Sequence, residues 1–182
     1  MVQISFAFGS SAVLLGWIVY RLLRCFSRKT FNFKEEALNI LMLINLLVIY
    51  RMTFHPFSKV DGQVQPLIFE SATAFPFRMN LIPLVNLTDY EKKSELLLNV
   101  IGNSTMFIPT GIILPILHPK LKTFGKTVLT GFMISLVIEI IQLPFAVRCS
   151  DVDDLILNTV GCIIGYGIYA LCRKREKKHV SL

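Results

Sequence analysis

The chain has 182 residues, of which 53% are hydrophobic and only 17% are charged. Soluble domains carry about 25% charged residues, so this composition argues against a soluble enzyme or a soluble binding module. The four cysteines form no C-x-x-C pair and the three histidines are scattered. We therefore expect no disulfide scaffold, no metal site and no other cofactor.

Five apolar segments are long enough to cross a lipid bilayer, which takes about 20 mostly apolar residues. In chain order they are residues 4–23, 37–54, 96–117, 127–147 and 155–172. They predict an all-α, polytopic membrane helical bundle with five transmembrane helices in the cell membrane. Pro109, Pro115 and Pro144 fall inside the third and fourth segments, where each proline removes a helical hydrogen bond and predicts a kink.

The distribution of basic residues predicts the orientation of the spans. Of the 19 Lys and Arg residues, five lie in residues 21–34, three in 120–126 and five in 173–178. These segments share one side of a five-span bundle, and the positive-inside rule places that side in the cytoplasm. The N-terminus is then outside, and residues 173–182 form a basic cytoplasmic tail. Because the basic residues flank spans, the net charge of +7 predicts contacts with membrane lipids and no binding of nucleic acid.

Residues 1–54 thus supply two N-terminal spans, and residues 55–94 form a predicted extracytoplasmic loop. Within this loop, residues 74–84 are apolar and aromatic and are interrupted by Pro76 and Pro83. This stretch is too short to cross the bilayer. Two interpretations fit it: an interfacial or re-entrant segment, or an ordinary loop that packs on the bundle.

Polar residues recur at helical spacing in the last three spans. Asn99 and Asn103 share a face of the third span, and Glu139 and Gln142 share a face of the fourth. In the fifth span, spacings of three and four align Asp151, Asp154, Asn158, Gly161 and Gly165. The glycines would let a neighbouring helix approach closely. At a rise of about 1.5 Å per residue, the polar side chains of all three spans reach a similar depth in the outer part of the bilayer.

Each of these polar residues has a structural and a functional interpretation. Asp151 and Asp154 begin a helix, where carboxylates cap the chain and suit the helix dipole. The asparagines are equally suited to hydrogen bonds between helices. Arg148 would anchor the chain to headgroups or pair with an acid. Glu139 would either be protonated or pair with Arg148, and an ionisable residue inside a span is usually functional.

Three motifs occur in order over about residues 76–170. They are Asn80-Leu81-Ile82-Pro83, then Asn99…Asn103…Phe107-Ile108-Pro109-Thr110-Gly111, then Ser135…Glu139-Ile140-Ile141-Gln142 followed by Arg148, Asp151, Asp154, Asn158-Thr159-Val160-Gly161 and Gly165. This series resembles the VanZ-like membrane family, although Leu84 stands where that family usually has Phe. The resemblance implies a VanZ-like domain at residues 76–172.

The resemblance adds Asn80 to the polar residues and implies that they form one ligand-binding site. This outer polar cluster consists of Asn80, Asn99, Asn103, Glu139, Gln142, Arg148, Asp151, Asp154 and Asn158. The family's namesake is linked to low-level resistance to teicoplanin-type glycopeptides. The amides and carboxylates that converge at one depth, taken together with this resemblance, predict a bacterial envelope protein that binds a polar lipid headgroup, a lipid-linked cell-wall precursor or a lipoglycopeptide antibiotic.

Two other functions fit the same residues. Glu139, Asp151 and Asp154 would suit an intramembrane enzyme acting on a lipid-linked substrate, either through Mg²⁺ or as acid and base. The sequence shows no Ser/His or Cys/His arrangement for a nucleophile, which argues against catalysis. A small transporter or flippase is the third interpretation, although the five spans show no inverted repeat. The sequence makes no prediction of the oligomeric state.

Overall fold

The computed structural model describes residues 2–27, 32–55, 59–60, 62–69, 79–83, 93–145 and 150–180. Within these residues five long helices occur, which are α1 (Phe6–Ser27), α2 (Phe33–Phe54), α3 (Lys93–Leu117), α4 (Phe124–Gln142) and α5 (Val152–Val180). Each contains a stretch long and apolar enough to cross a membrane. The predicted all-α membrane bundle of five helices is therefore confirmed, whereas the orientation of its termini stays a prediction.

The connections between the helices contain short strands that the sequence did not predict. They are β1 (Val2–Ile4), β2 (Lys59–Val60), β3 (Gln63–Val64), β4 (Leu67–Phe69), β5 (Met79–Asn80) and β6 (Ser150–Asp151). They form the two-stranded pairs β1–β4, β2–β3 and β5–β6. Gly62 lies between β2 and β3 with φ at 76°, a left-handed conformation that glycine adopts without steric strain.

Two helix ends differ from the prediction by five residues or more. Helix α4 ends at Gln142 rather than at residue 147, and Pro144 lies in the turn that follows. The prediction of a proline kink inside the fourth span is therefore wrong, because the helix stops before the proline. Pro109 and Pro115 do lie inside α3. Helix α5 continues to Val180, so the predicted basic tail begins as a helical extension of the last span.

The chain divides into two compact units, each made of two stretches of sequence. The first contains Met1–Met79 and Ile141–Cys149, and the second contains Asn80–Ile140 and Ser150–Leu182. In the first unit, β1 pairs with β4 and Arg21 forms an ion pair with Glu36. This ion pair joins α1 to the start of α2.

In the first unit, α2 is followed directly by a buried histidine, His55. His55 is fully buried, with its Nδ1 3.0 Å from the main-chain oxygen of Gln65 and its Nε2 2.8 Å from the hydroxyl of Tyr50. Because a carbonyl oxygen only accepts, the ring donates from Nδ1 and the Tyr50 hydroxyl donates to Nε2. The ring of Phe6 packs edge-on against His55. Through these two hydrogen bonds, the His55 ring connects the main chain at Gln65 with Tyr50 near the end of α2.

In the second unit, α3 and α5 pack with their main chains in contact. A Cβ added to Gly161 would overlap the main-chain oxygen of Ser104, and one added to Gly165 would overlap that of Ile108. Gly111 on α3 faces the main-chain oxygen of Cys162 in the same way. The predicted close approach of a helix to the α5 glycines is confirmed, and it sets the spacing of the polar side chains nearby.

Candidate functional site

Glu139 lies at the centre of the polar residues of the second unit. Its side chain is buried, because α4 turns this face toward protein rather than toward lipid. Its Oε2 accepts a hydrogen bond from the hydroxyl of Ser150 at 3.0 Å and another from the main-chain N–H of Asp151 at 3.0 Å. Glu139 therefore holds the strand that leads into α5. Arg148 lies outside the described residues, so the pairing of Glu139 with it stays a prediction.

Asp151 caps α5 and also binds the loop that precedes α3. Its Oδ1 accepts from the main-chain N–H of Asp153 at 2.9 Å, which satisfies one of the unpaired donors at a helix start. The same oxygen accepts from Nδ2 of Asn80 at 3.2 Å. The Oδ1 of Asn80 in turn accepts from the main-chain N–H of Ile82 at 3.2 Å. The capping interpretation of Asp151 is confirmed, and Asn80 links this cap to its own loop.

Asn103 connects α3 with the first turn of α5. Its Nδ2 donates to Oδ1 of Asp154 and, with a longer hydrogen bond of 3.4 Å, to Oδ1 of Asn99. All three side chains are half-buried. Since an amide hydrogen bond to a carboxylate is stronger than one between neutral groups, the contact of Asn103 with Asp154 dominates this part of the site.

Asn158 lies deeper along α5 and bonds to α4. Its Nδ2 donates to the hydroxyl of Ser135 at 2.9 Å, and both side chains are fully buried. The Oδ1 of Asn158 has no hydrogen-bond partner among the residues that the structure describes. Leaving such a group unpaired costs about 1–3 kcal/mol. Asn158 therefore connects α4 and α5 through an interhelical hydrogen bond, which is one of the two roles that the sequence predicts for it.

Gln142 belongs to the first unit, unlike the other described members of the outer polar cluster. There its Nε2 donates to the main-chain oxygen of Thr53 at 2.5 Å, and the side chain is only 4% exposed. The structure thus shows Gln142 in contact with the last turn of α2. Its spacing from Glu139 predicted a shared helix face, but spacing alone does not reveal the partner.

Seven side chains of the second unit make up the polar network. The strands β5 and β6 and helix α4 supply one hydrogen-bonded group, which is Asn80, Glu139, Ser150 and Asp151. Helix α3 and the first turn of α5 supply the other, which is Asn99, Asn103 and Asp154. Of these seven residues, only Ser150 was not among the predicted site residues. Among the described residues no three His, Cys, Asp or Glu side chains are grouped to hold a metal ion.

The family profile of VanZ/LLP1 proteins matches residues 41–173. The chain belongs to this family. The VanZ/LLP1 match contains the whole polar network and begins within α2, closer to the N-terminus than the motifs reach. Protein VanZ of Enterococcus faecium is 36% identical over 75 residues, which are 41% of this chain and 46% of that relative. The chain thus matches less than half of the length of its relative. No solved structure matches the chain.

Proposed function

We propose that this VanZ/LLP1 protein resides in the cell membrane and binds a polar headgroup rich in hydrogen-bond donors at its polar network. The observation that supports this most directly is the exposure of the network. Asn80, Asn99, Asn103, Asp151 and Asp154 are half-buried, whereas Asn158, which bonds to Ser135 between two helices, is fully buried. A half-buried carboxylate at a membrane surface remains within reach of a ligand.

The chemistry of the network limits the ligand class. Asp151 and Asp154 present half-buried carboxylate oxygens, which accept hydrogen bonds when ionised. A matching ligand offers several hydroxyl, amide N–H or ammonium donors close together. The sugar and peptide headgroup of a lipid-linked cell-wall precursor has this character, and so does a glycopeptide of the teicoplanin type. A simple phosphodiester headgroup would instead be repelled by the carboxylates of Asp151 and Asp154.

The predicted orientation supports the same ligand class. The network lies at the N-terminal ends of α3 and α5, which the basic residues of the chain predict to be on the outer side. Lipid-linked wall precursors and glycopeptides meet at that side of a bacterial membrane. The low-level teicoplanin resistance that the family resemblance implies would follow if the protein engaged either the antibiotic or its target.

Binding by purified protein tests the proposal. Full-length protein in lipid nanodiscs is titrated separately with a lipid-linked wall precursor, with teicoplanin and with phosphatidylglycerol. Asp154→Asn should weaken binding of the true ligand about 10- to 100-fold, because hydrogen bonds to a charged group contribute about 1.5–3 kcal/mol. Thr159→Val is a matched control on the same helix, since its hydroxyl bonds only to the main-chain oxygen of Leu155 in the described contacts.

The three titrations separate the possible ligands. Selective binding of the wall precursor or of teicoplanin, weakened by Asp154→Asn and unchanged by Thr159→Val, supports the proposal and identifies the ligand. The proposal would be overturned if a folded Asp154→Asn protein bound each of the three compounds with the same affinity as the wild type. Teicoplanin susceptibility of a host whose response depends on this protein provides the cellular comparison for the same two variants.

A further inference from the structure

The second unit carries a concentration of exposed cations at the ends of its helices that lie away from the polar network. We define this basic collar by its six exposed side chains, which are Lys120, Lys122, Lys126, Arg173, Lys174 and Arg175. No Asp or Glu occurs in residues 96–138 or 155–175. The nearest acid along these segments is Glu176, which follows Arg175. Among the described side chains, none of the six cations forms an ion pair.

Aromatic contacts connect the two segments that carry the collar, which are residues 120–126 and the end of α5. The hydroxyl of Tyr166 on α5 donates to the main-chain oxygen of Lys122 at 3.1 Å, and its ring packs edge-on against Phe124 with centroids 5.5 Å apart. One turn along, Tyr169 contacts the Tyr166 ring and accepts a hydrogen bond from Arg173 at 3.5 Å. The connection between α3 and α4 is thus held against α5 at the level of Tyr166, about two helical turns before Arg173.

The position of the collar along the helices indicates the kind of partner. The apolar stretches of α3 and α4 are Leu96–Leu117 and Phe124–Gln142, so the lysines at 120 and 122 lie just beyond one stretch and before the next. Tyrosines are enriched at this level of a bilayer, where the ring meets the apolar phase and the hydroxyl meets water. The phosphate groups of membrane lipids lie at the same level.

We propose that the basic collar selectively binds anionic phospholipid headgroups, such as that of phosphatidylglycerol. Six cations without an acid between them complement a layer of phosphates, and clusters of 4–8 Lys and Arg beside a span bind anionic lipid. The tyrosine contacts add a geometric element, because the Tyr166 hydroxyl connects the main chain at Lys122 to the helix that carries Arg173. The collar site is separate from the headgroup site proposed for the polar network.

Competition between lipids tests the inference on the full-length protein. Purified protein in detergent is mixed with phosphatidylglycerol and phosphatidylcholine of identical acyl chains, and bound lipid is counted by native mass spectrometry. The wild type should retain severalfold more phosphatidylglycerol. Lys122→Gln and Arg173→Gln should each lower this preference about threefold. Lys34→Gln removes the same charge from an exposed residue outside the collar and should leave the preference unchanged.

Two further measurements separate a specific site from simple charge. Tyr166→Phe keeps every charge but releases the Lys122 carbonyl, so a lowered preference in this variant supports the geometric role of the tyrosine. Equal losses in Lys34→Gln and Lys122→Gln would overturn the inference, since only the total charge would then matter. Displacement of bound phosphatidylglycerol by millimolar inorganic phosphate would also overturn it by showing that the ligand is a soluble anion. Teicoplanin binding should be unaffected in all of these variants.

Discussion

The second unit places charged groups at both ends of the same helices but holds them in different ways. At the polar network, Glu139 accepts from Ser150 and from the main chain, and Asp154 accepts from Asn103. In the basic collar, the cations are exposed and only the neighbouring tyrosines are packed. The difference predicts that ligand binding at the polar network depends on the geometry of its hydrogen bonds. Lipid binding at the basic collar should depend instead on the number and position of its charges.

The glycine contact between α3 and α5 supports both ends, so breaking it should have the largest effect. A Cβ at Gly161 would overlap main-chain atoms of Ser104, which cannot move aside as a flexible side chain can. Overpacking of this kind costs about 1–3 kcal/mol, and we expect Gly161→Ala to lose about 3 kcal/mol at the upper end of that range. Denaturant unfolding in micelles measures the free energy of unfolding.

Gly167 on the same helix provides the control, because nothing lies within 4 Å of a Cβ placed there. Gly167→Ala should raise the free energy of unfolding by about 0.5–1 kcal/mol, since alanine is the better helix former. Equal stabilities of the two alanine variants would show that the close contact of α3 and α5 does not hold the unit together.

The second largest effect on the free energy of unfolding is expected at the polar network, where Glu139 is a buried hydrogen-bond acceptor. Glu139→Ala removes one hydrogen-bond acceptor from the Ser150 hydroxyl and one from the Asp151 N–H, and it should cost about 2 kcal/mol, within the usual 1–3 kcal/mol for loss of a buried hydrogen-bond partner. Hydrogen exchange should rise at the main-chain N–H of Asp151, ahead of α5. Ile140→Ala is the neighbouring control, because Ile140 is 55% exposed and loses little packing. Unchanged exchange at Asp151 in Glu139→Ala would contradict the role given to Glu139.

Asp151 allows its capping role to be separated from a ligand role. Asp151→Ala should cost about 1 kcal/mol, the usual value of a helix cap, whereas Asp151→Asn should cost only a few tenths, because both residues cap equally well. If Asp151 also contacts the headgroup, the stable Asn variant should still lose affinity for the wall precursor or teicoplanin. Thermal unfolding and titration of the same samples measure both quantities, and unchanged affinity would leave Asp151 as a cap only.

The sequence predicted the helices better than it predicted the partners of the polar residues. Runs of about 20 apolar residues identify a span without further information, and the glycine spacing on α5 correctly indicated a close helix contact. The strands β5 and β6 have two residues each, so they carry no alternation that could be recognised. Their pairing brings Asn80 to Asp151, which is 71 positions away in the chain.

Helical spacing also says which residues share a face but not which neighbour meets that face. Glu139 and Gln142 are three residues apart, yet Glu139 bonds to the start of α5 and Gln142 bonds to the main chain of Thr53. The division of the chain into two units falls between these residues. The partners of both side chains are set by tertiary contacts, and a single sequence does not carry this information in its local pattern.

The smallest effect on the free energy of unfolding is expected for substitutions in the basic collar, in contrast to those in the polar network. Lys174 is exposed and should contribute through charge alone, so Lys174→Gln should change the free energy of unfolding by no more than about 0.5 kcal/mol. The same variant should lower the preference for phosphatidylglycerol, and added salt should erase the difference from the wild type because exposed charges are screened. A loss of stability comparable to that of Glu139→Ala would show that the collar, like the network, depends on fixed geometry.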